Sequence, residues 1–134
     1  MNTNSMWKIW FAIIGLLVIL RITILNDSSA DMRSTIFKVY SISTWITLIF
    51  IFYINGKRLR TYLHTDHINI YNKIYSRAYG TDIVVNPIAG IKFIFSKERH
   101  DDTNLNMLIN ENRKLLLLIL TVFITLPILS IMMN

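Results

Sequence analysis

The chain has 134 residues, of which 53% are apolar and 16% charged, and its mean hydropathy is +0.44. This composition is typical of a membrane protein. Because the chain has no cysteine, it can form no disulfide framework, thiolate metal site or cysteine nucleophile. Three windows are long enough to cross a bilayer as helices, and little chain remains for a separate enzyme domain. We therefore predict an all-α integral membrane protein, a single membrane domain over residues 1–134 with spans at 7–25, 36–54 and 115–133.

The first window, 7–25, has an uncharged stretch between Lys8 and Arg21. A membrane span fits this stretch, because long cationic side chains can reach the headgroups and two tryptophans near its start are typical interfacial anchors. A cleaved signal peptide is the alternative, since a basic residue precedes a short apolar run and small residues follow at 28–30.

The second window, 36–54, carries one charge at its start and a series of hydroxyl side chains. These hydroxyls predict contacts with a neighbouring helix inside the membrane, and the alternative is that each bonds to its own helix backbone. They are Ser41, Ser43, Thr44 and Thr47.

The third window, 115–133, contains no charged residue and begins directly after Arg113 and Lys114. It is the clearest of the three spans. Pro127 lies deep within it and predicts a bend, because proline removes one backbone hydrogen bond.

The distribution of basic residues predicts the orientation of the chain. Residues 55–114 hold ten of the fourteen basic residues against six acids, whereas the 26–35 loop is nearly free of basic residues. Because basic segments stay in the cytoplasm, we predict that the N-terminus and the 55–114 segment lie in the cytoplasm and that the 26–35 loop and the C-terminus lie outside. The net charge of +6 also predicts attraction to anionic lipids. We expect no nucleic-acid partner, because the basic residues form no known binding motif.

Residues between the second and third spans predict two or three short amphipathic cytoplasmic helices, after an extension of the second span over 57–63. The first helix covers His67–Tyr79, with Asp66 as its N-cap and Gly80 as its stop. Its tyrosine-rich face is expected to lie along the membrane surface or against other cytoplasmic helices.

Two further helix starts follow in the same segment. Asn86 reads as an N-cap with Pro87 at the first helical position, and apolar residues at helical spacing continue this second helix to Lys97. Asp101 or Asp102 then caps a helix that runs into the last span.

Few side chains of the cytoplasmic segment could carry chemistry. Imidazole and carboxylate ligands suit zinc, but aspartates that cap helices and interfacial histidines explain the same residues. No glycine-rich phosphate loop or activated serine accompanies them. We therefore expect no catalytic residue, resident metal or cofactor. The candidate polar cluster consists of His64, His67, His100, Asp101 and Asp102.

Basic and aromatic residues near the span ends are candidates for contacts with the membrane interface or with a partner. The expected partner is the lipid bilayer, including its anionic lipids, and in addition another membrane protein or a second copy of the chain. Charges near the outer ends of the first two spans are expected to reach the headgroups rather than to line a transport path. The interface candidates are Arg58, Arg60, Tyr71, Tyr75, Arg113 and Lys114.

Residues 45–134 present a series of features in a defined order. They are a membrane span, basic residues at Arg58 and Arg60, a histidine and tyrosine segment from His64 to Tyr71, the Phe93-Ile94-Phe95 piece, the His100-Asp101-Asp102 turn, and Arg113-Lys114 before the terminal span. This order resembles universal stress protein B, a family of small bacterial inner-membrane proteins. The family has two spans, and this chain adds the 7–25 window. The resemblance implies a location in the bacterial inner membrane and a stress-associated, non-enzymatic role without an active site.

A looser resemblance is to the immunity proteins against pore-forming colicins, which are also basic, of about this length and commonly have three spans. It implies lateral contact between the spans and the toxin helices, through the hydroxyl side chains of 36–54 and the region around Pro127. We expect a non-enzymatic interaction component, with immunity as the alternative and an accessory subunit of a larger complex as a third hypothesis.

Overall fold

The computed structural model describes residues 3–23, 25, 27–78, 82–96 and 100–133. Their fold is predominantly helical, with one short hairpin of two strands. The chain divides into two compact units, a terminal unit (Met1–Ile51 with Lys114–Asn134) and a central unit (Phe52–Arg113). The elements in chain order are α1 (Thr3–Thr23), α2 (Ala30–Asp66), α3 (Ile68–Ile74), β1 (Tyr75–Ala78), β2 (Asp82–Val85), α4 (Pro87–Phe95) and α5 (Thr103–Met133).

Three helices, α1, α2 and α5, are long and apolar enough to cross a membrane, by length and composition. α2 and α5 contain the windows 36–54 and 115–133, and α1 covers the 7–25 window as far as Thr23, which confirms three candidate spans. The predicted extension over 57–63 is also confirmed, because α2 continues to Asp66. At its other end α2 begins at Ala30, earlier than predicted, because the Ser29 hydroxyl accepts a hydrogen bond from the Met32 amide at 3.3 Å and caps the first turn.

The terminal unit packs segments of these three helices in alternating directions. Arg21 Nε donates to the carbonyl oxygen of Met132 at 3.0 Å, so α1 and α5 end side by side and run parallel. The Trp45 ring meets the Phe123 ring edge-on at 6.4 Å, as expected for an α2 segment that runs antiparallel to α5. The buried side chains of this unit include Met6, Trp10, Leu48, Leu115, Leu118, Val122 and Leu126.

Large apolar side chains cover the outside of the terminal unit. Ile19 is 60% exposed, Ile49 64% and Phe123 65%. A surface of this kind is unfavourable in water and is typical of helices that face hydrocarbon. It is consistent with a multi-pass membrane protein.

The central unit has an apolar core of its own, to which α2, α3 and α5 contribute. Leu63 of α2 and Leu105 of α5 are fully buried in it, and α3 adds Tyr71 and Ile74. The buried set is Leu59, Leu63, Tyr71, Ile74, Leu105, Leu108 and Ile109.

The predicted helix over His67–Tyr79 is wrong in its second half. The helix ends at Ile74, and Tyr75–Ala78 forms a strand that pairs antiparallel with Asp82–Val85. The partner strand ends in three β-branched residues, which favour extended backbone, and backbone pairing with it replaces continuation of the helix. Gly80, the predicted stop, lies outside the described residues.

The helix caps agree with the prediction at two of three starts. Asn86 accepts a hydrogen bond from the Ala89 amide at 3.1 Å, with Pro87 at the first helical position. Asp102, rather than Asp101, caps α5 through the amides of two following residues. The Asp66 cap is wrong, because α2 continues through that residue and His67 precedes α3 without a side-chain cap. The second helix ends at Phe95, and Lys97, its predicted end, lies outside the described residues.

Candidate functional site

One carboxylate organises the polar contacts of the central unit. The Tyr62 hydroxyl donates to Asp102 Oδ2 at 2.6 Å, and His67 Nε2 lies 2.8 Å from the same oxygen. The other oxygen, Oδ1, accepts the amides of Asn104 at 2.8 Å and Leu105 at 3.2 Å. Asp102 thus joins the end of α2, the α2–α3 junction and the start of α5.

These contacts also set the charge state of Asp102. The Tyr62 hydrogen bond, followed by the His67 hydrogen bond, holds the pKa of Asp102 well below its usual range, and partial desolvation opposes them only in part. The side chains of His67 and Asp102 are each about a quarter exposed. A carboxylate has about four acceptor positions, and Asp102 uses them on four groups of its own chain. The arrangement therefore binds elements together and leaves little capacity for a substrate or a metal.

The structure brings together two of the five residues of the predicted polar cluster, His67 and Asp102. His64 instead meets the Tyr71 ring edge-on at 4.9 Å, and Asp101 is exposed. The His100 ring lies 5.8 Å from the Phe93 ring, and its buried Nε2 has no hydrogen-bond partner. Across the ranges that the structure describes, no group of three or more histidines and acids is placed to hold a metal ion.

The predicted interface tyrosines lie against protein. Tyr71 is 7% exposed in the core of the central unit, and its ring stacks on Tyr75 at 4.8 Å. The Arg60 guanidinium lies over the Tyr75 ring at 5.7 Å, within the range of a cation–π interaction. Packing, and not exposure at a surface, therefore explains this aromatic group.

The remaining predicted interface residues differ in their contacts. Arg58 pairs loosely with Glu111 at 3.6 Å and is 55% exposed. Arg113 donates from Nε to the Ile94 carbonyl at 2.9 Å and from a terminal nitrogen to the Ser96 carbonyl at 2.8 Å. Arg113 therefore holds the C-terminal end of α4, where helix carbonyls lack intrahelical partners. Lys114 is half-buried at the start of the terminal unit's part of α5.

Sequence reasoning missed two asparagines, Asn106 and Asn112, and one tyrosine, Tyr62. The Asn106 side chain bonds to both backbone groups of His100. Its Oδ1 accepts from the His100 amide at 3.1 Å, and its Nδ2 donates to the His100 carbonyl at 2.5 Å. Asn112 is buried and donates to the Leu108 carbonyl at 2.9 Å. Neither asparagine, nor Tyr62, belongs to a sequence motif. The Tyr62 contact depends on the fold, whereas both asparagines bond to nearby backbone.

The central unit carries a groove of about 620 Å³ between the last turns of α2 and the first turns of α5. Its wall is apolar along Ile54 and Met107, and Lys57 and Arg58 place cationic groups beside it. Hydroxyl and amide groups complete the lining. Such a groove suits an acidic segment with an apolar face.

The terminal unit carries a smaller groove of about 270 Å³ among α1, α2 and α5. It is lined by three of the predicted hydroxyl residues, Ser43, Thr44 and Thr47, together with Trp10. Thr47 donates to the Ser43 carbonyl of its own helix at 2.8 Å, which is the simpler of the two predicted roles. Trp10 is 6% exposed, and its indole Nε1 has no hydrogen-bond partner.

No family model, curated protein or solved structure matches this chain. The resemblances to universal stress protein B and to colicin immunity proteins therefore stay predictions. A function is inferred from the packing, charge and grooves of the described residues.

Proposed function

We propose that the chain is a non-enzymatic, multi-pass protein of the bacterial inner membrane, a stress-associated accessory component whose central unit binds an acidic segment of a partner protein. The N-terminus and the central unit lie in the cytoplasm, and the C-terminus lies outside. The observation that carries the proposal is the central unit itself, a separately packed core with a groove that has cationic residues at its edge.

The side-chain contacts of the central unit favour binding over catalysis. Its strongest polar network is used within the unit, around Asp102. Its exposed cations include Lys57, Arg58 and Lys73. The Arg58–Glu111 pair is long and largely exposed, and pairs of this kind contribute little free energy. An incoming carboxylate can therefore replace Glu111 at low cost.

The directions of the helices support the proposed topology. α1 and α5 run parallel in the terminal unit, as the Arg21–Met132 contact indicates. Helices that cross a membrane in the same direction start on the same side, so the starts of the first and third spans would lie on the same side of the membrane. The basic residues of 55–114 favour the cytoplasm for that side.

Reporter fusions after Asp31, Gly80 and Asn134 test the topology. We expect the Gly80 fusion to report the cytoplasm and the other two to report the outside. A Gly80 fusion that reports the outside would contradict the orientation and would move the basic groove to the external face.

Site-specific photo-crosslinking in cells tests the groove. A crosslinker at Thr61, an exposed residue of the groove, is expected to capture a stoichiometric partner. The matched control is Asn69, an exposed polar residue of α3 outside the groove. The double substitution Lys57→Glu and Arg58→Glu should abolish the crosslink at Thr61. Equal capture from Thr61 and Asn69, or capture that survives the double substitution, would count against the groove.

A second candidate function is immunity to a pore-forming bacteriocin, and the groove of the terminal unit favours it. The Trp10 indole lines this groove beside a row of hydroxyls, and a toxin helix inside the membrane could contact this lining. Cells that express the chain would then survive a cognate toxin. We expect Trp10→Phe to reduce the protection and Trp7→Phe, the matched control outside the groove lining, to preserve it. Protection that is equal in both variants would exclude the groove as the contact.

A further inference from the structure

The two short helices of the central unit differ in what covers them. α3 buries Tyr71 and Ile74, whereas α4 buries none of its residues. Three large apolar side chains of α4 are exposed: Ile88 at 66%, Ile91 at 54% and Phe95 at 42%. Residues three and seven positions apart share one face of a helix. α4 therefore presents a single apolar stripe, Ile88–Ile91–Phe95, that no described residue covers.

The opposite side of α4 is fixed to the protein. Gly90 faces α3 so closely that a Cβ there would lie 3.6 Å from Ile74 Cγ2, and Phe93 and Ile94 pack against the core of the central unit. The Asn86 amide donates to the Ile74 carbonyl at 2.8 Å. The direction of the exposed stripe is therefore set by the fold.

Arg113 holds the end of α4 at a defined position along the axis of α5. Its guanidinium holds the carbonyls of Ile94 and Ser96, at the end of α4. From Arg113 to Met133, α5 rises about 30 Å, which equals the thickness of the hydrocarbon layer, about 30 Å. If residues 115–133 span the membrane, Arg113 lies at its boundary, and the end of α4 lies within one arginine side chain of that boundary.

We propose that α4 is an in-plane membrane anchor, whose Ile88–Ile91–Phe95 stripe enters the boundary between headgroups and acyl chains of the leaflet next to the central unit. The exposed Lys92 flanks this stripe and meets the phosphates of anionic lipids, as basic residues of interfacial helices do. α3 packs on protein and α4 packs on lipid. The anchor rests on the proposed insertion of α5 in the membrane.

Depth-dependent fluorescence quenching tests the anchor in the full-length chain. The chain has no cysteine, so single cysteines can carry an environment-sensitive fluorophore at Ile91 on the stripe, at Asn69 on α3 and at Leu120 within α5. The three variants are reconstituted in vesicles of phosphatidylcholine and phosphatidylglycerol with spin-labelled lipids. We expect shallow quenchers to act on Ile91→Cys, deep quenchers to act on Leu120→Cys, and neither to act on Asn69→Cys.

The controls separate failure of the anchor from failure of the membrane assignment. Quenching at Leu120 without quenching at Ile91 would overturn the anchor and leave the span intact. No quenching at Leu120 would overturn the membrane assignment, and the anchor with it. A blue-shifted signal at Ile91 that rises with protein density and resists lipid quenchers would show that a second copy covers the stripe, which also overturns the anchor.

A charge variant tests the role of Lys92 without altering the core. In the Ile91→Cys background, Lys92→Glu should reduce shallow quenching in vesicles that contain phosphatidylglycerol and leave it unchanged in pure phosphatidylcholine. Lys73→Glu, on the exposed side of α3, is the matched control and should have little effect. Equal quenching in the presence of phosphatidylglycerol with and without Lys92→Glu would overturn the assignment of Lys92 to lipid phosphates.

Discussion

Polar side chains form different kinds of hydrogen bonds in the two units. In the terminal unit, the threonine hydroxyls of residues 47, 121 and 125 donate to carbonyls one turn earlier in their own helices. In the central unit, Tyr62, His67 and Arg113 bond to residues of other elements. Each unit has described exceptions. Arg21, at the end of α1 in the terminal unit, bonds to α5, and Thr65 and Asn112 in the central unit donate to carbonyls of their own helices.

The two units therefore obtain their stability from different interactions. Hydroxyls that bond to their own helix satisfy themselves in hydrocarbon without fixing a neighbour. The terminal unit therefore depends on apolar packing and on its surroundings. The central unit combines an apolar core with side-chain bonds between distant residues. Substitutions that remove those contacts should loosen the central unit first.

The largest effect is expected from Leu63→Ala, which removes a fully buried side chain from the core of the central unit. Substitutions of this kind cost about 2–5 kcal/mol, because they lose apolar contact and leave a cavity. Trypsin cleavage of the detergent-solubilised protein, at the basic residues of 52–113, should accelerate strongly. Leu120→Ala, which truncates a 55% exposed side chain of α5, is the control and should change little. Equal rates of trypsin cleavage in the two variants would contradict the expected difference between the two units.

A smaller effect is expected from Asp102→Asn. Asparagine also caps helices well, so this substitution preserves the start of α5 and removes the charged acceptor shared by Tyr62 and His67. Trypsin cleavage should accelerate less than in Leu63→Ala. Asp101→Asn, at the exposed neighbouring position, is the control, and a similar change in both variants would show that the network contributes nothing specific.

The contribution of Asp102 should also depend on pH in a defined direction. Its pKa is lowered in the folded chain, whereas an unfolded aspartate titrates near about 3.9. The stabilisation is therefore present above about pH 4 and is lost as the pH falls below that value through the lowered pKa. The difference in thermal midpoint between the parent chain and Asp102→Asn should be constant just above about pH 4 and shrink below it. A difference in thermal midpoint that grows on acidification would contradict the lowered pKa of Asp102.

The smallest effect is expected from Asn86→Ala, which removes the side-chain cap of α4. Loss of such a cap costs about 1 kcal/mol. Hydrogen exchange should accelerate in the amides of α4 and leave the core of the central unit unchanged. Asn69→Ala, an exposed asparagine of α3, is the control. Unchanged exchange in α4 would show that its contacts to α3, rather than its cap, hold the helix.

Much of the fold could be predicted because its signals are local. The apolar windows were sufficient to predict three long helices, and Asn86-Pro87 and the Asp101-Asp102 pair marked two helix starts correctly. The site was less predictable. His67 and Asp102 were both candidates, but their pairing across 35 positions and the participation of Tyr62 depend on how α2 and α5 pack.

The wrong prediction of a helix over Tyr75–Ala78 also arose because the deciding contacts join residues that are separate in the sequence. Helical spacing of apolar residues supported a longer helix, and pairing with Asp82–Val85 overrode that local preference. The sequence by itself determined the long apolar helices, their charged ends and two of the three predicted caps, because hydropathy and capping act over one or two turns. Only the tertiary structure decided that Tyr71 is buried, that Arg113 holds the end of α4 and that the Ile88–Ile91–Phe95 stripe stays uncovered, because each depends on residues far apart in the chain.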